Sequence, residues 1–550
     1  MNTFFPILLI GVSTWFIKLQ SRHIYFLHMV QLEKYQINDY ISWISRNKKQ
    51  IPDYKEIYFT AVLAFTGLWC LYLKLNKSEI LLIILWVAGT VYLFYKRTRP
   101  KYKKKLVFTS RAIRLFITTN LLFLYLTFDM LFRIFSSSQY PALLIIFFII
   151  AAQIMYQLAF YFILLGILIN YPIETAINKY YMLSSKHIVN GSKATVIGIT
   201  GSYGKTSVKD ILHTLLSVKY KTLKTPESYN TPMGICKVIR RDLKPDYDFF
   251  VVEMGARRPG EIKELCDLVN PETGIVTAVG PQHLETFGSL ENISNTKYEL
   301  IKSLPDSGTA VLNGDNSLTT DMASKRHLQN ILFGTDLDEK KISQKELSCS
   351  LIQAKNISMD SNGSSFILKN GESEIDIKSH LLGHKNIYNI LAAVAVALHY
   401  GITLQEVKTS IKDIKPTPHR LQLIKNSNGI IIIDDAFNSN PVGAKTALDV
   451  LGSFKGGKKI LVTPGLVELG NIEYEENKKL GKMASEICDY VIIVGNTQAK
   501  PIISGLEENN FAAEKVKNVS SLDIASQCLQ KILTPGDIVL FENDLPDNYL

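Results

Sequence analysis

Hydrophobic residues are distributed along this chain in two different ways. In the first third they form long apolar runs near residues 4–17, 58–73, 80–95, 113–135 and 141–169. Several of these runs approach or exceed the ~20 residues that a helix needs to cross a bilayer. The pattern predicts an N-terminal α-helical transmembrane bundle of about five helices rather than the buried helices of a soluble core.

Beyond residue 190 the apolar runs become short and alternate with helical stretches. Runs at 249–252, 274–279, 310–312, 430–433, 459–462, 490–494 and 538–541 are typical of buried parallel strands, and residues 390–399 predict a helix. Residues 336–377 are polar and predict a small β excursion. A linker is expected around 184–193, and Lys415-Pro416-Thr417-Pro418 indicates a hinge. We therefore expect a multi-domain chain with a transmembrane region at 1–185 and α/β domains at 190–415 and 416–550.

The charge distribution sets an orientation for the predicted bundle. Residues 1–186 carry 21 Lys and Arg against 7 Asp and Glu, whereas the whole chain has a net charge of +11, so the remainder is slightly acidic. The basic residues concentrate between the first and second runs and between the third and fourth. Because Lys and Arg stay on the cytoplasmic side, we expect a multi-pass protein of the cell (inner) membrane with everything after about residue 170 in the cytoplasm.

Two function classes are disfavoured by composition. The basic excess belongs to the apolar third, so it indicates contact with membrane lipid and not with nucleic acid. The six cysteines are scattered without a Cys-x-x-Cys pair, so neither a disulfide framework nor a thiolate zinc site is expected.

The most specific chemical signal begins at Val196. A β-branched apolar run leads into a glycine-rich turn that ends in Gly204-Lys205-Thr206-Ser207, and a helical pattern follows. This strand–loop–helix order is that of a nucleotide phosphate-binding loop. The backbone of Gly201-Ser202-Tyr203-Gly204 would approach phosphate oxygens, Lys205 would reach the β- and γ-phosphates, and Thr206 would hold Mg²⁺. The central domain is therefore predicted to be a P-loop fold that uses ATP and Mg²⁺.

Four other clusters carry polar groups, three of them just after predicted strands. Glu253 is placed to hold Mg²⁺ or its water, or else is a solvated loop acid. His283 is equally well explained as a metal ligand or as a hydrogen-bonded loop histidine. Lys297, alone, would be an exposed helical lysine. The pair Asp434-Asp435 could bind ribose, Mg²⁺ or a cationic group, or could cap the next helix.

Together these clusters resemble the Mur ligase family from about residue 194 to the C-terminus. The matching segments are Thr200-Gly201-x-x-Gly204-Lys205-Thr206, Asn230-Thr231-Pro232-Met233-Gly234, Glu253-Met254-Gly255-Ala256, His283-Leu284-Glu285-Thr286-Phe287-Gly288-Ser289, Lys297-Tyr298-Glu299, Asn386-Ile387-Tyr388-Asn389, His419-Arg420-Leu421 and Asp434-Asp435-x-x-Asn438-x-Asn440-Pro441. The resemblance implies a Rossmann-like C-terminal domain. Within the family, the segments are most similar to the ligases that add D-alanyl-D-alanine to a muramyl peptide.

The resemblance also implies roles for individual residues. Lys297 would be a carbamylated lysine that helps to hold Mg²⁺ together with His283, while Thr206 and Glu253 would hold a second Mg²⁺. Asn386 and Asn389 would line the adenine site. Arg420 and Asp435 would contact the nucleotide from the C-terminal domain as it closes.

The implied activity is ATP-dependent amide bond formation in cell-wall precursor synthesis, through an acyl phosphate. The expected partners are a UDP- or lipid-linked muramyl-peptide acceptor and an amino acid or dipeptide. Four departures bear on this. Apolar helices replace the family's UDP-binding domain, and Lys385 stands where Gly-x-His-Asn has histidine. Thr463-Pro464-Gly465-Leu466-Val467-Glu468-Leu469-Gly470 stands where Gly-Asp-Met-x-Glu-Leu-Gly is usual, and Glu542-Asn543-Asp544 stands where Lys-Gly-Ser is usual. A polyglutamate, folate or cyanophycin type of ligase, and a non-catalytic ATP-binding membrane scaffold, are the alternatives.

Overall fold

The protein is described by a computed structural model covering residues 4–49, 51–75, 78–96, 104–136, 141–227, 229–337, 349–425, 428–437 and 439–544. Its contacts divide the chain into two compact units, one up to Asn178 and one from Lys179. Asn438 of the Asp-Asp motif and residues 338–348 of the predicted β excursion lie outside the described residues.

The first unit is built from helices. They are α1 (Phe4–Leu32), α2 (Ile37–Arg46), α3 (Tyr54–Tyr72), α4 (Ser78–Tyr95), α5 (Ser110–Ser136), α6 (Pro141–Gln157) and α7 (Ala159–Asn190). Within the described residues, three helical segments are long and apolar enough to cross a membrane: Ser78–Tyr95, Ser110–Ile134 and Ala159–Asn190. The helical character of the N-terminal third is confirmed, and the five-span bundle stays a prediction.

Two boundary predictions in this region are wrong. The apolar run at 141–169 is divided at Leu158, because the regular helix is interrupted between α6 and α7. The expected linker around 184–193 is largely helical, since α7 continues to Asn190. Val189 is buried in a core that also contains Val196 and Val238, so this segment is anchored by packing.

The interior of the first unit contains charged side chains. Lys18 and Glu56 form a buried ion pair. The Arg22 guanidinium donates to the backbone carbonyls of Ile51 and Tyr156, the latter at 3.0 Å from Nε. Buried charges are tolerated only when they are paired and hydrogen-bonded, which these contacts provide.

The second unit contains two sheets. The nine-stranded sheet is formed by β1 (Thr195–Thr200), β2 (Thr222–Lys224), β3 (Phe249–Glu253), β4 (Thr273–Val276), β5 (Thr309–Asn313), β6 (Gln329–Gly334), β7 (Cys349–Asp360), β8 (Gly363–Asn370) and β9 (Ser373–Ser379). The spatial order is β2-β3-β1-β4-β5-β6-β7-β8-β9, parallel from β2 to β7 and antiparallel from β7 to β9. The antiparallel strands confirm the predicted β excursion within residues 349–377.

Helices connect and cover these strands. They are α8 (Lys205–Leu216), α9 (Pro232–Asp242), α10 (Glu261–Val269), α11 (Leu284–Phe287), α12 (Leu290–Ser303), α13 (Ser317–Ala323), α14 (His384–His399) and α15 (Leu404–Ile411). Alternate residues of β1 face opposite cores: Ile197 and Ile199 join one hydrophobic cluster and Val196 joins another. Burial on both faces explains why the parallel strands are continuous apolar runs.

The six-stranded sheet has the order β10-β11-β15-β12-β13-β14. Its strands are β10 (Gln422–Lys425), β11 (Ile431–Asp435), β12 (Lys459–Thr463), β13 (Tyr490–Val494), β14 (Val516–Val519) and β15 (Ile538–Glu542), and its helices are α16 (Pro441–Ser453), α17 (Glu473–Ile487), α18 (Ala499–Glu508) and α19 (Leu522–Ile532). Only β10 pairs antiparallel among these described strands. The prediction of two α/β regions after the helical third is confirmed. Below, the nine-stranded region means residues 195–411 and the six-stranded region means residues 419–544.

Candidate active site

The turn between β1 and α8 requires glycine at two positions. Gly201 has φ +143° and Gly204 has φ +80°, both in the region that side chains disfavour. A Cβ at Gly201 would lie 2.0 Å from Thr277 Oγ1, and one at Gly204 would lie 2.3 Å from Asn389 Oδ1. Backbone groups therefore line a close-fitting turn at the N-terminus of α8, as a phosphate-binding loop requires.

Neighbouring loops hold this turn in place. The Ser202 hydroxyl donates to the Gly280 carbonyl at 2.9 Å and accepts from the Gly280 amide at 3.1 Å. The Thr277 hydroxyl donates to the Tyr203 carbonyl. Thr206 and Ser207 are buried in the first turn of α8. The loop is thus fixed by the carboxyl end of β4, the neighbour of β1 in the sheet.

Lys205 curls back onto its own loop. Its Nζ donates to the Gly201 carbonyl at 2.6 Å. Burial lowers the Lys205 pKa to about 8, although the nearby Glu253 carboxylate opposes this shift. The charged form of a desolvated lysine next to a phosphate loop is stabilised when an anion binds, because the anion compensates for the lost hydration.

Glu253 is at the end of β3, as predicted, but both of its carboxylate oxygens already accept hydrogen bonds. Oε2 accepts from Lys209 Nζ at 3.0 Å and Oε1 accepts from Asn230 Nδ2 at 3.1 Å. Lys209 is fully buried and also donates to the Glu227 carbonyl. Sequence reasoning missed Lys209, although its position one helical turn after Lys205 places it on the same face of α8.

His283 has a left-handed backbone with φ +53° at the start of α11. Its Nδ1 forms a hydrogen bond with the Glu468 carboxylate. Burial lowers the His283 pKa, and this hydrogen bond to Glu468 counteracts that effect. Glu468 also lies 3.4 Å from Arg257 Nη2 and belongs to the loop after β12. The histidine therefore joins the two sheet regions.

Lys297 is not an exposed helical lysine. It lies on α12 with only 3% of its surface exposed, and its Nζ is 5.8 Å from the centre of the Phe287 ring. Burial and the positive charge of Lys205 together lower the Lys297 pKa to about 7. About half of the amine is therefore neutral at pH 7, and the neutral amine is the nucleophilic form that carbamate formation with CO₂ requires.

Asn386 and Asn389 lie in the first turns of α14, which begins earlier than the sequence pattern predicts. Asn389 Nδ2 donates to Asn386 Oδ1 at 2.9 Å, and Asn386 Nδ2 donates to the Leu382 carbonyl at 2.9 Å. Because Asn389 also approaches Gly204, both amides lie beside the phosphate loop.

The six-stranded region contributes Arg420 and Asp435. The Arg420 guanidinium stacks 4.5 Å above the Phe437 ring, and the Asp435 carboxylate accepts from the Leu421 amide at 3.1 Å. Burial lowers the pKa of Arg420 and raises that of Asp435, while their mutual attraction opposes both shifts. Arg420 also acts on the pKa of Lys205. Arg420 therefore interacts electrostatically with the phosphate loop, and Asp435 interacts with Arg420.

Two further buried ionisable groups lie at this junction. Burial lowers the Lys385 pKa to about 8, and its Nζ lies 5.1 Å from the Tyr203 ring centre. Burial raises the Glu542 pKa to about 8, and this carboxyl accepts hydrogen bonds from the hydroxyls of Ser439 and Thr463. In the sequence both residues stand only as departures from family motifs, and their electrostatic interaction depends on tertiary structure.

Oxygen donors beside the phosphate loop suit Mg²⁺ that is also bound by substrate phosphates. Within the described ranges, no group of three or more His, Cys, Asp or Glu side chains is arranged to hold a metal ion. Mg²⁺ in phosphoryl-transfer sites is bound by one or two protein oxygens together with substrate phosphates and water. The hydroxyl of Thr206 in the first turn of α8 and the carboxylate of Glu253 at the neighbouring strand end fit that pattern.

Comparison with known proteins relates both sheet regions to one family. The model of the Mur ligase middle domain matches residues 199–397, and that of the Mur ligase glutamate ligase domain matches residues 419–542. The UDP-N-acetylmuramoyl-tripeptide–D-alanyl-D-alanine ligase of Bacillus subtilis is 30% identical over 349 residues, covering 63% of this chain and 72% of the relative. The enzyme of the same name from Escherichia coli is 32% identical, covering 62% of this chain and 74% of the relative.

A solved structure agrees with these relatives. The MurF ligase from Thermotoga maritima in complex with ADP superposes with a TM-score of 0.58 and 27% identity, covering 67% of this chain and 80% of that chain. The phosphate loop, the two α/β sheets and the matched relatives together assign the protein. The chain belongs to the Mur ligase family and is an ATP-dependent carbon–nitrogen ligase.

Proposed function

We propose that this enzyme joins the carboxylate of a muramyl-peptide acceptor to the amine of D-alanyl-D-alanine, or of a similar amino acid or dipeptide. The proposal is supported by the relatives named for that reaction. The observation that carries it is the convergence of buried groups around one loop: Lys297 and Arg420, from opposite regions, both interact electrostatically with Lys205.

ATP binds with its phosphates on the backbone amides of residues 201–207 and at the N-terminus of α8. Lys205 leaves the Gly201 carbonyl and contacts the β- and γ-phosphates. Asn386 and Asn389 lie beside this loop and line the adenine site. Arg420 and Asp435 contact the nucleotide from the six-stranded region.

One Mg²⁺ would be held by Thr206 and Glu253, and a second by His283 and the carbamylated form of Lys297. When bound, the two ions would neutralise charge on the phosphoryl group. Carbamylation converts the Lys297 amine into an anionic oxygen ligand, and the neutral amine of a lysine with a pKa near 7 is the reactive form. Glu253 exchanges at least one of its present hydrogen bonds when it takes this role.

The reaction proceeds in two steps. A carboxylate oxygen of the acceptor attacks the γ-phosphorus of ATP, and the bond to the β,γ-bridging oxygen breaks to give an acyl phosphate and ADP. The amine nitrogen then attacks the acyl carbon, loses a proton, and inorganic phosphate leaves as the amide forms. Lys205 stabilises charge on the transferring group, and contact between the two sheet regions excludes water that would hydrolyse the acyl phosphate.

We further propose that the first unit is a multi-pass segment of the cell membrane and that the ligase regions are cytoplasmic. Three helical segments of sufficient length and apolarity support this. A lipid-linked muramyl peptide is then an acceptor that reaches the enzyme in the plane of the membrane, and a UDP-linked precursor is the soluble alternative.

The test is a product analysis on the full chain in detergent or vesicles. The enzyme is incubated with ATP, D-alanyl-D-alanine and either a UDP-linked or a lipid-linked muramyl tripeptide. ADP release is followed, and the product is identified by mass spectrometry. Turnover with either acceptor supports the proposal and identifies the carrier. No turnover with both acceptors, by a protein that binds ATP, would contradict the cell-wall assignment.

A further inference from the structure

Glu468 makes the contact between the two sheet regions that lies nearest to the candidate metal ligands. It belongs to the segment between β12 and the short 3₁₀ helix Gly470–Ile472. One carboxylate oxygen pairs with His283 Nδ1, and the other lies 3.4 Å from Arg257 Nη2. The Glu468 carbonyl also accepts from the Glu285 amide at 3.4 Å. The side chain is mostly buried, so it pairs with His283 in a partly desolvated space.

The backbone conformation at this contact is unusual on both sides. Glu468 has φ +63° and His283 has φ +53°, although neither is glycine. Left-handed conformations of such residues cost about 1 kcal/mol or more and persist where the surroundings impose them. Two of them meeting in one hydrogen bond indicates that the position of this pair is imposed by the fold.

The loop that carries Glu468 is rigidly supported from within the six-stranded region. Asn477 on α17 accepts from the Leu466 amide at 2.8 Å and donates to the Leu466 carbonyl at 2.8 Å. The Glu473 carboxylate accepts from the Leu469 amide at 3.3 Å. The carboxylate of Glu468 is therefore presented to His283 only when the six-stranded region is docked.

We propose that Glu468 is a positioning residue that orients the His283 imidazole for Mg²⁺ when the six-stranded region docks. The proposal rests on the function proposed above, because it uses the metal of that ATP site. The hydrogen bond with Glu468 uses Nδ1 of His283, so Nε2 is the ring nitrogen that remains for a metal. A carboxylate on the remote nitrogen fixes the tautomer and ring orientation of a metal-binding histidine and increases its basicity. The Arg257 guanidinium lies 3.4 Å from the other carboxylate oxygen.

This arrangement couples docking of the two regions to metal binding. If docking orients His283, then a bound metal must in turn favour the docked state, because such coupling is reciprocal. The metal site is then complete only when the region that contributes Arg420 and Asp435 is also in place. The acyl phosphate would thus form only in the closed enzyme.

The test measures metal affinity and not catalysis. Mn²⁺ replaces Mg²⁺ as the probe, and free Mn²⁺ is followed by electron paramagnetic resonance in the presence of a non-hydrolysable ATP analogue and the full chain. Glu468→Gln keeps the size of the side chain and removes its charge. We expect Mn²⁺ affinity to fall about 10–100-fold in Glu468→Gln. Glu475→Gln, an exposed acid on α17, is the matched control and leaves the affinity unchanged.

The His283→Gln background separates positioning from a general structural role. If Glu468 acts through His283, Glu468→Gln lowers Mn²⁺ affinity no further once His283 has been replaced. An equal additional loss in that background, or wild-type affinity in Glu468→Gln, would overturn the proposal. If Glu468→Gln does not fold, as judged by its melting temperature, Arg257→Gln applies the same test from the other carboxylate oxygen. The assay contains no acceptor and no amine. The Mn²⁺ result can therefore be interpreted even if the proposed amide-forming reaction does not occur.

Discussion

Buried lysines are the residues that most clearly identify the site. Burial lowers the pKa values of Lys205, Lys297 and Lys385, and all three side chains lie around the phosphate loop or interact with it electrostatically. Desolvated cations are unfavourable in the free protein, so a polyanionic ligand that supplies compensating charge is bound more tightly. The cluster therefore favours a nucleotide triphosphate over a neutral ligand.

Lys297 provides the first prediction. Lys297→Ala should reduce ADP release in the complete assay by at least about 10²-fold, because it removes an anionic ligand of the Mg²⁺ that neutralises charge on the transferring phosphoryl group. Since the Lys297 pKa is about 7, the neutral amine that accepts CO₂ is depleted as the pH falls below 7. In CO₂-depleted buffer, the activity of the wild-type enzyme should therefore decrease as the pH falls below 7.

The control for this prediction is Lys302→Ala, an exposed lysine on the same helix. It should retain wild-type activity. Short carboxylic acids added to Lys297→Ala should restore part of the activity by replacing the carbamate. Wild-type turnover in Lys297→Ala would remove the carbamate from the mechanism.

Glu542 provides a prediction about pH and stability. Burial raises its pKa from 4.5 to about 8 in the folded protein. Between those values the folded state binds more protons than the unfolded state, so stability falls as the pH rises from about 4.5 to 8. Glu542→Gln keeps the size of the side chain and its ability to accept hydrogen bonds, but the amide does not ionise. It should raise the melting temperature at pH 8 by about 2–4 °C per kcal/mol gained.

Melting temperatures measured from pH 5 to pH 9 check this expectation. The difference between Glu542→Gln and wild type should be smallest at pH 5 and largest above pH 8. Glu507→Gln, an exposed acid on α18, is the control and should show no such trend. A pH-independent difference would mean that Glu542 is ionised in the folded protein throughout this range.

At the scale of elements, the glycine turn gives a steric prediction. Gly204→Ala places a Cβ 2.3 Å from Asn389 Oδ1 at φ +80°, so the turn or the amide must move. We expect ATP affinity, measured by calorimetry, to fall at least about tenfold, since the backbone amides that would bind the phosphates move with the turn. Gly191→Ala, whose Cβ would meet nothing closer than 3.4 Å, should bind ATP like wild type.

The link between α8 and β3 gives a stability prediction. Lys209 and Glu253 form an ion pair in which both side chains are almost fully buried. Lys209→Met leaves the carboxylate without its cation, which should cost about 3–5 kcal/mol in chemical unfolding. Adding Glu253→Gln to Lys209→Met should recover much of the lost stability without restoring amide-forming activity. Equal stability of Lys209→Met and wild type would show that Glu253 is not dependent on this lysine.

Element types were predictable from the sequence where one pattern dominated. The apolar runs at 490–494 and 249–252 are strands within one residue of the prediction, because strands buried on both faces are uninterrupted apolar segments. The start of α14 was missed, since Asn386 and Asn389 interrupt its apolar pattern and are buried only because they pair with each other and face the phosphate loop. Tertiary contacts at that helix end override the local pattern.

At the scale of the whole molecule, the first unit should determine where the enzyme is found. The full chain should float with phospholipid vesicles and resist extraction by high salt, because three of its helical segments are long and apolar enough to cross a bilayer. A variant that begins at Lys179 should remain in the soluble fraction and still bind ATP, since the contacts from that residue onward form a separate compact unit. Release of the full chain by salt alone would contradict membrane insertion.

The sequence by itself determined the class of chemistry and the two α/β regions, and it predicts which residues serve ATP. These follow from local order, because a strand, a glycine turn and a helix are consecutive in the chain. Tertiary structure alone decided that Lys209 pairs with Glu253, that Lys385 and Glu542 share one junction, and that Glu468 reaches His283 from 185 residues away. Those contacts depend on strand order and on docking of two sheets, which pattern and spacing do not encode.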